Sequence, residues 1–258
     1  PKKLEGAIAF EQVDFVYPDT GIHALQKVSF SLAKGEKMAI IGRTGSGKST
    51  IADLLVRKYD PQEGSIQMDK TDIRQLHLQS LRDQIGYVPQ DVFLFSETIK
   101  NNVSFGLSNV TTEQIETALE QAAVKKDIDR LPEKMLTVVG ERGVTLSGGQ
   151  KQRITLARAL IKEPQVILLD DCLSAVDAET EQTIINHLNT YLADKTAIII
   201  THRIFALMNF DKIIVLEEGK LVEEGTHESL LKQKGLYYEL FEKQRQEQQG
   251  KKSKIVGR

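Results

Sequence analysis

The fold is decided by the stretch Met38-Ala39-Ile40-Ile41-Gly42-Arg43-Thr44-Gly45-Ser46-Gly47-Lys48-Ser49. Its first four residues are continuously apolar, which is typical of a short strand buried on both faces. A glycine-rich loop follows, and from Lys48 onward the apolar residues have the spacing of a helix. A strand, a glycine-rich loop and a helix in this order predict an α/β fold with a binding loop at the strand end.

Residues 42–49 match the pattern G-x-x-x-x-G-K-[ST], which predicts a phosphate-binding loop in this strand-to-helix context. The glycines let the backbone curl so that N–H groups point at phosphate oxygens, and the helix N-terminus adds partial positive charge. We expect Lys48 at the β- and γ-phosphates, Ser49 at Mg²⁺ and Thr50 near the α-phosphate. A glycine-rich turn without a ligand is the alternative, and the loop alone does not separate a kinase from an ATPase or a GTPase.

The pattern around this loop predicts the rest of the architecture. Apolar runs like the first one recur downstream, at residues 166–169, 197–200 and 213–216. Helical stretches separate most of them, which indicates a mainly parallel sheet. Residues 7–16 and 24–32 instead alternate apolar and polar side chains, as half-exposed antiparallel strands do, with an irregularity at Gln12.

The middle of the chain contains helical patterns without a buried-strand candidate between them, at residues 111–131 and 150–161. They predict a helical lobe inserted into the core, and residues 226–246 predict a C-terminal helical hairpin. We therefore expect one domain over residues 1–258. In it, residues 1–90 and 164–258 form the core with an N-terminal antiparallel β lobe, and residues 91–163 form the helical lobe.

Composition narrows the function. The 258 residues carry a formal net charge of -2, so nothing resembles the basic surface of a nucleic-acid-binding protein. The single cysteine, Cys172, cannot form a disulfide within the chain, and the longest aliphatic runs are far too short to span a bilayer. The chain opens at Pro1 rather than Met, and we expect it to be a piece of a longer protein or one subunit of a complex.

The sequence Leu146-Ser147-Gly148-Gly149-Gln150 directly precedes a helical pattern and predicts a second anion-binding helix start. An ordinary N-cap followed by a loop is the alternative. One chain does not need two phosphate-binding helix ends for one nucleotide, whereas a dimer does if each copy contributes to the other's site. Further along, Asp170 ends an apolar run, as the Mg²⁺-holding aspartate of phosphate-loop proteins does.

Together these motifs resemble the nucleotide-binding domain of ABC transporters, over nearly the whole chain. In that family's order they are the A-loop at Tyr17, the Walker A motif at residues 42–49, the Q-loop at Gln90, the signature at residues 146–150, the Walker B motif ending at Asp170, the D-loop at residues 174–177 and the switch histidine at His202. A metabolic phosphate-loop kinase is excluded by the signature. Residues 93–96 and Gly140-Glu141-Arg142-Gly143 resemble the exporter branch.

The resemblance implies a role for each matching residue. Tyr17 stacks on adenine, Gln90 contacts Mg²⁺ or the attacking water, and His202 bonds to the γ-phosphate. Asp177 works across a dimer interface. Without the family context, Tyr17 is an ordinary strand-end tyrosine and Asp177 a helix cap.

The implied site is as follows. The catalytic residues are Asp171, His202, Gln90 and Lys48. The nucleotide contacts are Tyr17, Gly42, Arg43, Thr44, Gly45, Ser46, Gly47, Lys48, Ser49, Thr50, Ser147, Gly148, Gly149, Gln150 and Asp177. The Mg²⁺ contacts are Ser49, Gln90 and Asp170. The cofactors are ATP and Mg²⁺.

Asp171 departs from the family, in which the residue after the Walker B aspartate is usually glutamate, the general base. Aspartate is one methylene shorter, and a misplacement of about 1 Å can cost on the order of 10²-fold in rate. This resembles one half of heterodimeric exporters, whose own site is slow while its signature, at Ser147 and Gly148, serves the partner. A homodimer that tolerates aspartate and an engineered Glu-to-Asp change are the alternatives.

The resemblance implies an ATPase that drives export from the cytoplasmic face of the cell membrane. Its expected partners are the transmembrane domains of the same transporter and a second ABC ATPase domain, a different chain rather than a copy, and no nucleic acid. Two other functions stay open at this point. A largely non-hydrolytic, ATP-gated clamp is favoured by Asp171. A soluble ABC protein acting on DNA or the ribosome commonly has tandem cassettes or large insertions, which this chain lacks.

Overall fold

The computed structural model describes residues 3–140, 143–204 and 209–256. For residues 248–256 it describes the backbone alone. The strands are β1 (Ile8–Val16), β2 (His23–Leu32), β3 (Lys37–Gly42), β4 (Glu63–Met68), β5 (Thr71–Asp72), β6 (Ile85–Val88), β7 (Val166–Asp170), β8 (Thr196–Ile200), β9 (Lys212–Glu217) and β10 (Lys220–Gly225). The helices are α1 (Lys48–Leu55), α2 (Leu78–Asp83), α3 (Ile99–Val103), α4 (Thr112–Gln121), α5 (Lys125–Asp129), α6 (Gly148–Leu160), α7 (Ala178–Tyr191), α8 (His227–Gln233) and α9 (Leu236–Val256).

The chain divides into two compact units. The first unit contains Pro1–Gly6 and His77–Ala197, and the second contains Ala7–Leu76 and Ile198–Arg258. In the helices described, none is long and apolar enough to cross a membrane.

The antiparallel sheet of the second unit has the strand order β2-β1-β4-β5. Phe10 of β1 lies opposite Phe30 of β2, and the two rings stack with centroids 4.5 Å apart. At Gln12 the backbone has φ 49° and the register shifts between Phe10 and Val13, which is a β-bulge. The predicted strands and the irregularity at Gln12 are confirmed, whereas β4 and β5 were not predicted.

The second unit also contains the buried parallel strands. Strands β3 and β9 run parallel, with Met38 opposite Lys212 and Gly42 opposite Leu216, and residues 198–200 of β8 lie on the other side of β3. Strand β10, which was not predicted, pairs with β9 in the antiparallel direction. Helices α8 and α9 form the predicted hairpin and cover a core cluster that includes Ile213 and Tyr237.

The first unit combines parallel strands with most of the helices. Strands β6 and β7 are parallel, with Ile85 opposite Val166 and Val88 opposite Leu169. The helical pattern over residues 111–131 is not one helix, because α4 and α5 are separated by a turn in which Ala123 has φ 54°. The predicted fold class, a P-loop α/β core with a mainly parallel sheet, an antiparallel β lobe and an inserted helical lobe, is confirmed.

Candidate functional site

The loop between β3 and α1 has a backbone that requires glycine at two positions. Gly47 has φ 98°, and a Cβ atom there would lie 2.3 Å from the backbone oxygen of Ala24. A Cβ atom at Gly42 would lie 2.4 Å from the backbone oxygen of Leu216. Helix α1 starts after Gly47 without a side-chain cap and has no acidic residue in its first turn. Its first N–H groups and partial positive charge are therefore directed at the space that the loop encloses.

Two side chains of the loop add polar groups to this space. The Lys48 ammonium donates to the backbone oxygens of Gly42 and Arg43, both at 2.8 Å. The Ser46 hydroxyl is buried, and among the described residues it has no hydrogen-bond partner. A buried hydroxyl without a partner is costly unless a ligand bonds to it. The loop therefore fits an oxyanion such as a phosphate group, for which uncapped amides, a cation and this hydroxyl are suitable donors.

Tyr17 and Thr50, which are both predicted to contact the nucleotide, lie close together. The Tyr17 hydroxyl is 3.0 Å from the Thr50 hydroxyl. The Tyr17 ring makes edge contacts with Phe15 and Tyr59, at centroid distances of 5.0 and 5.5 Å. Burial raises the pKa of Tyr17 above its ordinary value, so its hydroxyl stays protonated at neutral pH. The aromatic cluster fixes the position of Tyr17 beside the start of α1.

His202 lies just after β8 in the same unit, and its side chain is exposed. The backbone around it is held by side chains on both sides. Arg203 donates its backbone N–H to the Thr201 hydroxyl at 3.0 Å. Ile204 donates its backbone N–H to the side-chain oxygen of Gln244 at 3.0 Å, and the Gln244 amide nitrogen donates to the His202 backbone oxygen.

The remaining predicted residues belong to the first unit. Asp170 ends β7 and is 2% exposed, and Gln90 follows the neighbouring strand β6 by two residues and is exposed. Because β6 and β7 are parallel, both residues lie at the same edge of the sheet, as a shared ion site requires.

Asp171 directly follows β7, and its backbone has φ 44°, in the left-handed region. Glu163 and Glu218 adopt the same region elsewhere in the described chain, so this backbone gives no reason for aspartate rather than glutamate. Burial, together with the negative charge of Asp171, raises the pKa of the neighbouring Cys172 thiol to about 12. This cysteine is consequently an inert packing group.

Ser147 caps α6, as the alternative interpretation of the signature supposed. Its hydroxyl accepts from the Gln150 backbone N–H at 3.2 Å, and its own N–H donates to the Gln150 side chain at 2.9 Å. This capping box leaves Gly148 and Gly149 in the first turn of the helix. A capping role does not exclude a ligand, because a hydroxyl oxygen that accepts one bond can still donate another.

The structure adds Gln152, which sequence reasoning missed. Its side-chain nitrogen donates to the Ser174 hydroxyl at 3.0 Å, and its oxygen accepts from the Ala175 backbone N–H at 3.1 Å. A Cβ atom at Gly149 would lie 2.8 Å from the Ala175 oxygen. The signature helix and the D-loop are thus joined. No spacing rule in the sequence pointed to this contact.

Asp177 caps α7 by accepting the backbone N–H of Thr180 at 2.9 Å. Hydrogen bonds from Thr180 hold the pKa of this carboxyl below its ordinary value. Of the sequence Gly140-Glu141-Arg142-Gly143, the residues Glu141 and Arg142 lie outside the described part of the chain.

An aromatic surface follows the Q-loop. The Phe95 ring stacks on Phe105 at 4.3 Å and meets Phe93 edge-on at 5.1 Å, and both Phe93 and Phe105 are more than half exposed. Arg158 of α6 lies over Phe95 and donates to the Phe93 backbone oxygen at 3.0 Å. The signature helix is therefore tied directly to this exposed surface.

Comparisons with known proteins agree with these motifs. The family described as ABC transporter matches residues 25–174. The chain is 46% identical over 242 residues to the Bacillus subtilis (strain 168) protein named "Probable multidrug resistance ABC transporter ATP-binding/permease protein YheI". This match covers 94% of this chain and 41% of that protein. It is also 44% identical over 239 residues to the ATP-dependent lipid A-core flippase of Idiomarina loihiensis. This second match covers 92% of this chain and 41% of the flippase.

A solved structure described as a bacterial Atm1-family ABC exporter with ATP bound has a TM-score of 0.89 to this chain. The two are 42% identical, and the match covers 93% of this chain and 42% of that one. This chain thus spans about two-fifths of the length of the curated relatives it matches. The family match extends over more than half of the chain and includes the phosphate loop, the signature and Asp170. The chain belongs to the ABC transporter family, as an ATPase domain of the exporter type.

Proposed function

We propose that this chain is the motor domain of an ABC exporter, in which binding and hydrolysis of MgATP drive a membrane-spanning partner. The observation that carries this proposal is the phosphate loop. It combines the uncapped start of α1, the Lys48 ammonium and the buried Ser46 hydroxyl without a partner among the described residues. The ATP-bound exporter of known structure supports the choice of nucleotide.

In the proposed site, Tyr17 provides a face for adenine, and the loop residues bind the phosphates. The loop contacts are Gly42, Arg43, Thr44, Gly45, Ser46, Gly47, Lys48, Ser49 and Thr50. The Lys48 ammonium, which donates to two loop carbonyls, would turn to the γ-phosphate through its flexible alkyl stem. ATP therefore replaces two backbone acceptors by a charged one, which strengthens the bond.

Mg²⁺ would be held by Ser49, Gln90 and Asp170 together with the nucleotide. Phosphate oxygens of the nucleotide and water would supply the other ligands, because Mg²⁺ in nucleotide sites is usually bound by one or two protein side chains together with substrate phosphates. When bound, Mg²⁺ neutralises charge on the phosphate oxygens. The carboxylate of Asp170 and the hydroxyl of Ser49 suit this hard cation, which prefers oxygen ligands.

Hydrolysis transfers the γ-phosphoryl group to water. Asp171 accepts a proton from the attacking water while the water oxygen bonds to the γ-phosphorus. At the same time the bond between this phosphorus and the oxygen that bridges to the β-phosphate breaks. Gln90 orients the water, His202 bonds to the γ-phosphate and Lys48 balances its charge. Aspartate reaches about 1 Å less far than glutamate, so we propose that this chain's own site is slow.

The signature would serve the ATP of a second ABC domain in a head-to-tail dimer. Ser147, Gly148, Gly149 and Gln150 present a helix start to that nucleotide, and Asp177 lies across the interface. We favour a heterodimer over a homodimer. The signature of this chain is intact while its base, Asp171, is shorter than glutamate, which suits a chain that completes the faster ATP site of a different partner.

We place the chain at the cytoplasmic face of the cell membrane, joined to transmembrane domains of the same transporter. The aromatic surface at Phe93, Phe95 and Phe105 supports such a contact, because contiguous exposed apolar patches often mark sites of interaction with another protein. The net charge of -2 argues against a nucleic-acid partner. We retain residues 1–258 as one domain, with 1–90 and 164–258 as core and 91–163 as the helical lobe.

The test is ATP binding by the chain and by Lys48→Ala, measured by titration calorimetry in the presence of Mg²⁺. We expect the affinity to fall by about tenfold or more, because a charge-assisted bond is lost. Lys126→Ala is the matched control, since Lys126 is an exposed lysine of α5. Unchanged affinity in Lys48→Ala would rule out the loop as the nucleotide site.

A second candidate is a largely non-hydrolytic clamp, which Asp171 favours. Steady-state ATPase rates separate the two, measured with this chain alone and with its partner half. A clamp gives almost no turnover either alone or paired, whereas the motor hydrolyses ATP rapidly once it is paired.

A further inference from the structure

A single side chain of α9 holds the backbone that carries His202. The side-chain oxygen of Gln244 accepts the Ile204 N–H at 3.0 Å, and its nitrogen donates to the His202 backbone oxygen. One amide group thus bonds on both sides of Arg203. An extended strand placed beside this segment would make the same pair of bonds, so Gln244 takes the place of a neighbouring strand just where β8 has ended.

The other contacts of this segment fix its ends. The Thr201 N–H donates to the Ile40 oxygen of β3 at 3.4 Å, and the Arg203 N–H donates to the Thr201 hydroxyl at 3.0 Å. Ile204 is fully buried in the cluster that α8 and α9 cover. Gln244 bonds to the peptide groups on both sides of Arg203, and one of these bonds is to the His202 backbone oxygen. The position of the His202 peptide, and with it the direction of the exposed side chain, therefore responds to Gln244.

Helix α9 is itself fixed, so Gln244 is a firm support. Tyr237 is fully buried, its hydroxyl is 2.8 Å from the His227 ring nitrogen, and its N–H donates to Glu223 at 2.8 Å. Gln244 lies two helical turns after Tyr237, and Leu240 lies between them on the same face of the helix.

We propose that Gln244 is a positioning residue for His202, so that the C-terminal helix sets how well ATP is distinguished from ADP. This inference rests on the proposed bond from His202 to the γ-phosphate. Such a bond forms with ATP and not with ADP, and it requires the ring to lie within hydrogen-bond reach. Loss of the Gln244 bonds releases the His202 peptide and weakens that bond, while the contacts of the phosphate loop with the α- and β-phosphates remain.

The test measures the ratio of ATP to ADP affinity by calorimetry, with Mg²⁺, in the 258-residue chain. In Gln244→Met, which keeps length and removes both hydrogen bonds, we expect this ratio to fall about tenfold with ADP affinity unchanged. Gln246→Met is the matched control on an exposed position of the same helix and should leave both affinities unchanged. His202→Ala should lower the ratio by at least as much as Gln244→Met.

The double variant separates positioning from a general structural effect. If Gln244 acts through His202, adding Gln244→Met to His202→Ala produces no further loss. Equal loss of ATP and ADP affinity in Gln244→Met, or a further loss in the double variant, would overturn the inference. An unchanged ratio in Gln244→Met beside a lowered ratio in His202→Ala would overturn it too. An unchanged ratio in His202→Ala would instead refute the proposed role of His202.

Gln244→Glu provides the same test with a side chain of the same size. It keeps an acceptor for the Ile204 N–H but places a carboxylate oxygen against the His202 oxygen in place of the donor, so the ratio should fall at least as far as in Gln244→Met. If Gln244→Met fails to fold, this variant decides the question, and an unchanged ratio in it contradicts the inference.

Discussion

Tyr17 shows how far a single residue can be interpreted without its surroundings. The sequence permits a strand-end tyrosine as readily as an adenine contact. The structure adds the 3.0 Å contact between its hydroxyl and that of Thr50, beside the phosphate loop. The edge contacts with Phe15 and Tyr59 hold the ring in place, so little ordering entropy would be lost on binding.

Replacement of Tyr17 distinguishes the ring from its hydroxyl. In Tyr17→Ala we expect ATP affinity to fall by about tenfold, because stacking of a base on an aromatic ring contributes about 1–3 kcal/mol. Tyr17→Phe keeps the ring and loses only the bond to Thr50, so its affinity should stay within about threefold of the original. Calorimetric titration measures both. Equal losses in the two variants would mean that the hydroxyl, not the ring, contributes to binding.

Gln152 shows what the sequence could not reveal at the scale of single residues. Gln152 hydrogen-bonds to Ser174 and Ala175, which lie 22 and 23 residues further along the chain. No short sequence pattern predicts a contact over such a separation. Residues whose role follows from one loop were predictable, whereas those whose role follows from tertiary contacts were not.

Among the elements, segments with a strong apolar pattern were predicted and weakly patterned ones were missed. The order β3, glycine-rich loop, α1 was clear because apolar burial, turn residues and helical spacing all agree there. Strand β6 has only four residues, one of them Gly86, and its apolar run is too short to be distinguished from a turn. The break between α4 and α5 occurs at Ala123, a residue with high helix propensity, so propensity pointed the wrong way.

Arg158 of α6 hydrogen-bonds to Asn102 of α3 and to Phe93, so replacing it should lower the free energy of unfolding. Its guanidinium donates to the backbone oxygen and side-chain oxygen of Asn102 at 2.7 and 2.8 Å, and to Phe93. Burial lowers the pKa of this guanidinium. In Arg158→Met the acceptors of Asn102 stay partly buried with a donor missing, which we expect to cost about 2–4 kcal/mol.

Urea unfolding of the chain followed by circular dichroism measures this cost. The control is Lys151→Met, an exposed position on the same helix that should change the free energy of unfolding by less than about 0.5 kcal/mol. A midpoint for Arg158→Met equal to that of the control would show that Asn102 and Phe93 find other partners.

At the scale of the whole molecule, the chain divides its predicted site residues between two units. Tyr17, the phosphate loop and His202 belong to one unit, and the signature, Asp170 and Asp171 belong to the other. The sequence revealed each motif but no distance between them. The proposed dimer would give the capped start of the signature helix a role, because a second ABC domain would place its nucleotide there.

The proposed asymmetry predicts opposite outcomes for two substitutions made only in this chain of the assembled transporter. Asp171→Asn should reduce steady-state ATPase activity by less than about twofold, because this chain's own site contributes little turnover. Ser147→Arg should remove nearly all of it, because a bulky cation at the start of α6 blocks the γ-phosphate of the partner's site. A strong loss in Asp171→Asn would show that aspartate is the working base of an ordinary hydrolytic site. Full activity in Ser147→Arg would remove the signature from the partner's catalytic site.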